Sequence, residues 1–167
     1  MTYVQRTLVV LKPDSVGRSI SWEIISRFER AGLHIAGMKM VRPDKAFFHH
    51  HYETIGTMIT RKSEKIFEDT LALMMKSPII AIVLEGVEAV EYVRKMVGPT
   101  EPKSAAPGTI RGDYAHISYG YADVAWLGIP NLVHASGSAE EAEQEIKHWF
   151  TEKELFDYAP LHHAFTR

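Results

Sequence analysis

A histidine held through one ring nitrogen can use the other as a nucleophile. The stretch "NLVHASGSAEEAEQEI", residues 131–146, offers the parts for this. His134 closes a short apolar run and is followed by Ser136, Gly137 and Ser138. Ser138-x-x-Glu141 then reads as a capping box that opens an acidic helix. Backbone N–H groups at a helix start favour an anion, and the two serines add hydroxyl donors. Glu145 falls on the inner half of that helix, where it can hold one nitrogen of His134. The chemistry this favours is transfer of an anionic group through histidine.

A second set of residues is basic. Lys12 ends the first apolar run in "KPD", and Arg94 lies on a helical pattern. "PGTIRGD", residues 107–113, presents Arg111 between Gly108 and Gly112, which suggests backbone shaped around a ligand. Thr100 belongs to the same loop region. Guanidinium groups bind phosphate bidentately. Neither G-x-x-x-x-G-K-[ST] nor a post-strand G-x-G-x-x-G is present, so phosphate binding of those two kinds is not expected. "HHHYE" at 49–53 is read as a surface helix with one or two buried imidazoles. Successive helical side chains diverge by about 100° and do not converge on an ion. His51 is therefore expected to be dispensable, and His162 and His163 are read the same way.

These residues need elements to position them. "RTLVVL" (6–11) and "IIAIVL" (79–84) read as buried strands, the second apolar on both faces and therefore central. "LHIAGMKMV" (33–41) and "NLVHAS" (131–136) supply two more. Helical patterns cover 20–31, 44–52, 66–76, 87–97 and 139–149. This order predicts an α+β fold: a ferredoxin-like sandwich, a four-stranded antiparallel sheet with helices on one face. Residues 54–65 read as a polar loop. Residues 115–130 read as a hairpin, with Tyr119-Gly120-Tyr121 and Trp126-Leu127-Gly128 as its extended pieces. Thr151 onward reads as a tail on the surface. One domain over 1–167 is expected.

Hydrophobic residues make up 46% and charged residues 24%, ordinary globular values. The absence of cysteine excludes disulfides and thiolate chemistry. A formal net charge of −2 gives no general affinity for nucleic acid, and no apolar run could span a bilayer. A cytoplasmic protein is expected.

"KPD", "HY" at 51–52, "SP…EG" at 77–86, "PGTIRGD" and N-x-x-H-x-S-x-S, in this order and spacing, resemble the nucleoside diphosphate kinase family. The resemblance covers nearly the whole chain. It implies ping-pong transfer of the γ-phosphoryl of ATP, or another nucleoside triphosphate, to a nucleoside diphosphate, with Mg²⁺ on the nucleotide. By resemblance His134 is the nucleophile and Glu145 its orienting partner. Lys12 and Asn131 hold the ribose, while Arg94, Thr100 and Arg111 hold the phosphates. Tyr52 and Ser136 line the phosphoryl path. A homo-oligomer, hexamer or tetramer, is also implied.

The chain departs from the family in four places. The position that stacks on the base falls on Ile66 of the pair Ile66-Phe67. Residues 54–65 are longer than usual. Gly137 stands where aspartate is usual, and 115–130 adds about ten residues between Arg111 and the histidine strand. Two rivals are a single-strand RNA reader and a regulatory domain without turnover. The first needs aromatics on the central strands, and "RTLVVL" and "IIAIVL" have none.

Overall fold

A computed structural model describes residues 3–125 and 128–166. Strand β1 (Val4–Leu11) leads through α1 (Pro13–Gly17) and α2 (Ser21–Arg30) to β2 (His34–Val41). Helix α3 (Lys45–His49) runs into a π-helical turn at His50–Ile55, then α4 (Met58–Arg61) and α5 (Glu64–Met74). Strand β3 (Ile79–Val87) is followed by α6 (Ala89–Val97), α7 (Ile110–Tyr114) and α8 (Tyr119–Val124). The short β4 (Val133–Ala135), α9 (Ala139–Trp149) and α10 (His163–Thr166) complete the described order.

The sheet order is β2-β3-β1-β4, all antiparallel, the ferredoxin-like arrangement. Central β1 pairs with β3 from Val4↔Val87 to Leu11↔Ile80, and β4 joins its other edge through Val10↔His134. Helices cover both faces of this sheet, not one as the sequence predicts. Val9, Leu11, Ile82 and Leu84 pack with Ile24, Phe28 and Val93 of α2 and α6. Leu8, Val10, Ala81 and Val83 pack with Phe48, Phe67, Leu71 and Trp149 of α3, α5 and α9. The physical reason lies in the sequence: an unbroken apolar strand must be dry on both sides, because alternate side chains point oppositely.

Two further expectations change. Residues 54–65 are largely helical. Thr57 adopts a left-handed conformation (φ 47°) before α4, and Ser63 caps α5 by accepting from Ile66 N–H at 3.2 Å. The hairpin expected over 115–130 is instead helix α8, capped by Ser118, whose Oγ accepts from Tyr121 N–H. Trp126 and Leu127 lie outside the described residues. The chain after Thr151 runs along the edge of β2. Phe156 N–H donates to Ala36 O at 2.8 Å, and the Tyr158 hydroxyl donates to Ile35 O at 2.9 Å. Gly37 admits it closely, since a Cβ there would sit 2.8 Å from Glu154 O. Gly37→Val is therefore expected to lift this segment off β2 and cost about 1–3 kcal/mol through forced overpacking. Urea unfolding and limited proteolysis after Thr151 check this.

Candidate active site

His134 is the middle residue of β4, partly buried and beside α9. Its Nε2 lies 2.8 Å from Glu145 Oε1. The second carboxylate oxygen accepts from the Ser136 hydroxyl at 2.6 Å, and Ser136 Oγ accepts in turn from Leu8 N–H at 3.2 Å. Burial opposes charge on Glu145, but the positive edge and hydrogen bond of His134, with help from His51 and Ser136, prevail. They hold the carboxyl well below the usual range. An ionised Glu145 can only accept, so His134 donates from Nε2 and keeps a lone pair on Nδ1.

The corner before β4 is fixed from the other end of the chain. Leu132 is fully buried and left-handed (φ 72°), a conformation that costs a bulky residue of order 1–3 kcal/mol. Residues around α1 hold it: Asp14 accepts from Leu132 N–H at 2.8 Å, and Ser15 Oγ and Lys12 N–H donate to Leu132 O. Beside it, Lys12 Nζ donates to Asn131 Oδ1 at 2.6 Å, and Asn131 Nδ2 donates to Thr100 O at 2.8 Å. Burial is the main cause that lowers the Lys12 pKa to about 8. Asp14 opposes the shift, and Arg111 and Lys62 add to it.

Lys12, Tyr52, Ile66, Arg94, Thr100, Arg111, Asn131, His134 and Glu145 all border one cavity of about 540 Å³, a volume that suits a small-molecule ligand. Tyr52 is buried, and its hydroxyl has no hydrogen-bond partner among the described residues. Burial, with Glu145 second, keeps that hydroxyl protonated. Arg94 reaches Ala135 O at 3.5 Å, a marginal bond that leaves its guanidinium largely uncommitted. Arg111 differs. It is 7% exposed and donates to three backbone carbonyls: Asn131 at 3.0 Å, Gly98 at 2.8 Å and Val133 at 2.5 Å.

Phe67 does not join the site. It is 2% exposed in the core and meets His49 edge-on, while Ile66 is 40% exposed on the cavity rim. Adjacent helical positions diverge, so only one of the pair can face the ligand.

Among the cavity residues that escape sequence reasoning, three carry basic side chains. Arg61 and Lys62 border it from the stretch read as a loop. Lys62 shifts downward through burial first, then Arg61 and Arg111, which adds it to the cationic cluster. His51 is the third: it is one of the buried imidazoles the sequence allows in this helix, but its place on the cavity wall is not foreseen. It is 2% exposed, edge-on to His134 with ring centres 4.6 Å apart. Trp149 Nε1 can only donate, and it meets His51 Nδ1 at 3.1 Å, so the neutral His51 proton sits on Nε2. Burial, then the charge of His134, pushes the His51 pKa well below its ordinary value. The "HY" motif marks it in the sequence, but not its contact with His134, because convergence of His51 and Tyr52 requires the π-helical turn. His51→Phe is expected to cost about 1–3 kcal/mol by stranding the buried Trp149 N–H. Equilibrium unfolding measures this.

A histidine backed by a buried carboxylate, open to a cavity lined by lysine and arginine, defines a site for phosphoryl transfer. Comparison with known proteins gives the family. The family model described as nucleoside diphosphate kinase matches residues 5–155. A nucleoside diphosphate kinase of Pyrococcus furiosus is 46% identical over 167 residues, covering 100% of this chain and 96% of that one. A transition-state mimic of the Borrelia burgdorferi enzyme with bound vanadate and ADP superposes with a TM-score of 0.95. It has 37% identity and covers 98% of this chain and 97% of that one. The Halobacterium salinarum enzyme in complex with CDP gives a TM-score of 0.81 at 34% identity, over 96% of each chain. The chain belongs to the nucleoside diphosphate kinase family.

Proposed function

We propose that this enzyme moves the γ-phosphoryl of a nucleoside triphosphate onto a nucleoside diphosphate in two half-reactions through His134. The observation that carries this is the Nε2···Glu145 contact, which leaves Nδ1 as the nucleophile. The Nδ1 lone pair forms an N–P bond as the γ-phosphorus–oxygen bond breaks, and the electron pair leaves with the diphosphate. The second diphosphate reverses the step. Glu145 fixes the tautomer and balances charge on the ring. Lys12 and Asn131 serve the ribose. Arg94, Arg111 and Thr100 serve the phosphates, with Lys62 beside them. Tyr52 borders the phosphoryl path, whereas Ser136 is fully buried off the cavity wall and acts by holding Glu145. Such transfer rests on positioning and charge neutralisation more than on protein covalent chemistry.

Mg²⁺ enters as part of the substrate, carried on its phosphates. The donor set supports this: Glu145 is engaged by His134, Asp69 by Lys65, and Glu141 by Arg61 and Gly137 N–H. Among the described residues of the cavity Asp123 alone is an unengaged carboxylate, which makes no pair, and Mg²⁺ typically keeps substrate phosphates and water as ligands. ATP and other nucleoside tri- and diphosphates are the substrates. Met38 and Met40 lie exposed on edge strand β2, which favours a homo-oligomer, tetramer or hexamer, measurable by light scattering. No helix among the described residues is long and apolar enough to cross a membrane, which is compatible with a cytoplasmic enzyme.

The testing experiment is incubation with γ-labelled ATP. An acid-labile, base-stable label on the wild-type protein, discharged by added diphosphate, is the expected result. Absence of that label returns the chain to a regulatory role. The protonation of Lys12 gives a second outcome. Its charge is present below about pH 8 and lost above it. Diphosphate affinity is expected to hold below that pH and to fall above it. Lys12→Met is expected to bind weakly and without that inflection. Titrations of Kd between pH 6.5 and 9.5 check this.

A further inference from the structure

One wall of the cavity plays no part in phosphoryl transfer. It consists of α5 and the stretch between Arg111 and Asn131. Tyr119, Ala122 and Asp123 border the cavity at positions i, i+3 and i+4 of α8, so they form one face of that helix. Ala122 is buried, Tyr119 and Asp123 are exposed on that face, and Tyr121 and Val124 lie off it. Ile66 and Leu73 complete the wall from α5, and Ile129 from the chain after α8.

This wall is anchored at both ends. Tyr119 N–H donates to Glu101 Oε1 at 2.9 Å, and Lys103 N–H donates to Ile117 O at 3.1 Å. At the far end, Gly128 lies against α5 so closely that a Cβ would sit 2.4 Å from Asp69 O. Helix α8 therefore bridges the loop after Thr100 to the helix that carries Ile66. Two carboxylates stand on the wall. Asp69 pairs with Lys65 at 2.7 Å. Asp123 has no ion pair or side-chain hydrogen bond among the described residues.

A nucleotide whose phosphates lie on Arg94 and Arg111, with its ribose at Lys12 and Asn131, directs its base away from those cations, toward α5 and α8. A carboxylate there accepts N–H donors and repels carbonyl oxygens. Guanine presents two adjacent N–H donors that match a carboxylate. Uracil presents one N–H between two carbonyls. Resting on the kinase reading above, we propose that Asp123 reads the base of the nucleotide and favours guanine over uracil, with Ile66 supplying apolar contact to the ring.

The test uses the full-length wild type, Asp123→Asn and Asp123→Ala, with Kd measured for GDP and UDP. A charge-assisted pair of N–H bonds is worth on the order of tenfold or more in Kd, so the wild type is expected to favour GDP by that factor. In both variants the ratio is expected to fall to within about threefold of one, the loss falling on GDP. The same ratio is expected in kcat/KM for discharge of the phosphoenzyme. Absence of label from γ-labelled ATP in the wild type overturns the kinase reading and leaves the binding ratios as a separate result. Equal wild-type affinity for GDP and UDP, a ratio unchanged in the variants, or an equal loss for both bases overturns the role of Asp123.

Discussion

His134→Ala is expected to abolish phosphoenzyme formation, a loss on the order of 10⁴-fold or more, because the nucleophile itself is gone. No neighbour can replace it. The His51 lone pair is engaged by Trp149, and Ser136 already gives its proton to Glu145. The variant also loses stability, about 2–4 kcal/mol, since Glu145 stays buried without the N–H that His134 donates to it. His134→Gln restores an N–H donor toward Glu145 and should recover part of the stability and none of the label. The pH dependence follows in sign. The native Glu145 carboxyl is depressed, so its contribution is present above about pH 4.5 and is lost as pH falls through the native value. In His134→Ala the depression disappears, and burial raises the group instead. Label on either variant at the wild-type level would refute the assignment of His134.

Arg111→Ala is expected to damage the scaffold as well as the ligand site. Sequence reasoning gives Arg111 to the substrate. The structure gives it three carbonyls, on Gly98, Asn131 and Val133, tying the end of α6 to the strand that carries His134. Hydrogen bonds to a charged donor contribute about 1.5–3 kcal/mol each, and they are not additive. A loss of about 3 kcal/mol or more, near 10 °C in Tm for a chain of this size, is expected. The guanidinium has five N–H groups, so two remain for phosphate. Diphosphate affinity should therefore fall as well. Arg111→Lys keeps the charge and loses the fork, so it should recover binding better than stability. Calorimetry paired with diphosphate titration separates the two roles. An unchanged Tm in Arg111→Ala would show that the carbonyl contacts carry no weight.

These two residues show what the sequence can reveal. The pairing of His134 with Glu145 is readable because strand, turn and capped helix fix their relative placement locally. Even there one detail shifts: Ser138 Oγ accepts from Glu141 N–H at 3.1 Å, but the Glu141 carboxylate returns to Gly137 N–H, not to Ser138. The four strands are readable from apolar runs. What is lost depends on long-range packing. The second helical layer follows only once both faces of β1 and β3 are recognised as buried. The scaffolding role of Arg111 depends on carbonyls distant in sequence. Lys62 and Arg61 sit in a polar stretch whose left-handed start at Thr57 no local pattern announces. Tyr119 and Tyr121 alternate in a way that favours an extended reading, and Ser118 capping decides for helix.

The π-helical turn at His50–Ile55 makes residue count a functional quantity. Its two ends are fixed: Asp44 accepts from Phe47 N–H at 2.8 Å before it, and Glu53 accepts from Ile59 N–H at 2.7 Å after it. Between those fixed points the wider turn lets two consecutive side chains, His51 and Tyr52, be buried together. A deletion of one residue here would return the turn to ordinary pitch, where consecutive side chains point about 100° apart. The helix could then keep Tyr52 on the cavity or keep His51 against His134 and Trp149, but not both. A one-residue gap in this helix, among relatives or in a designed variant, therefore reads as a change of active site and a more severe lesion than most substitutions nearby.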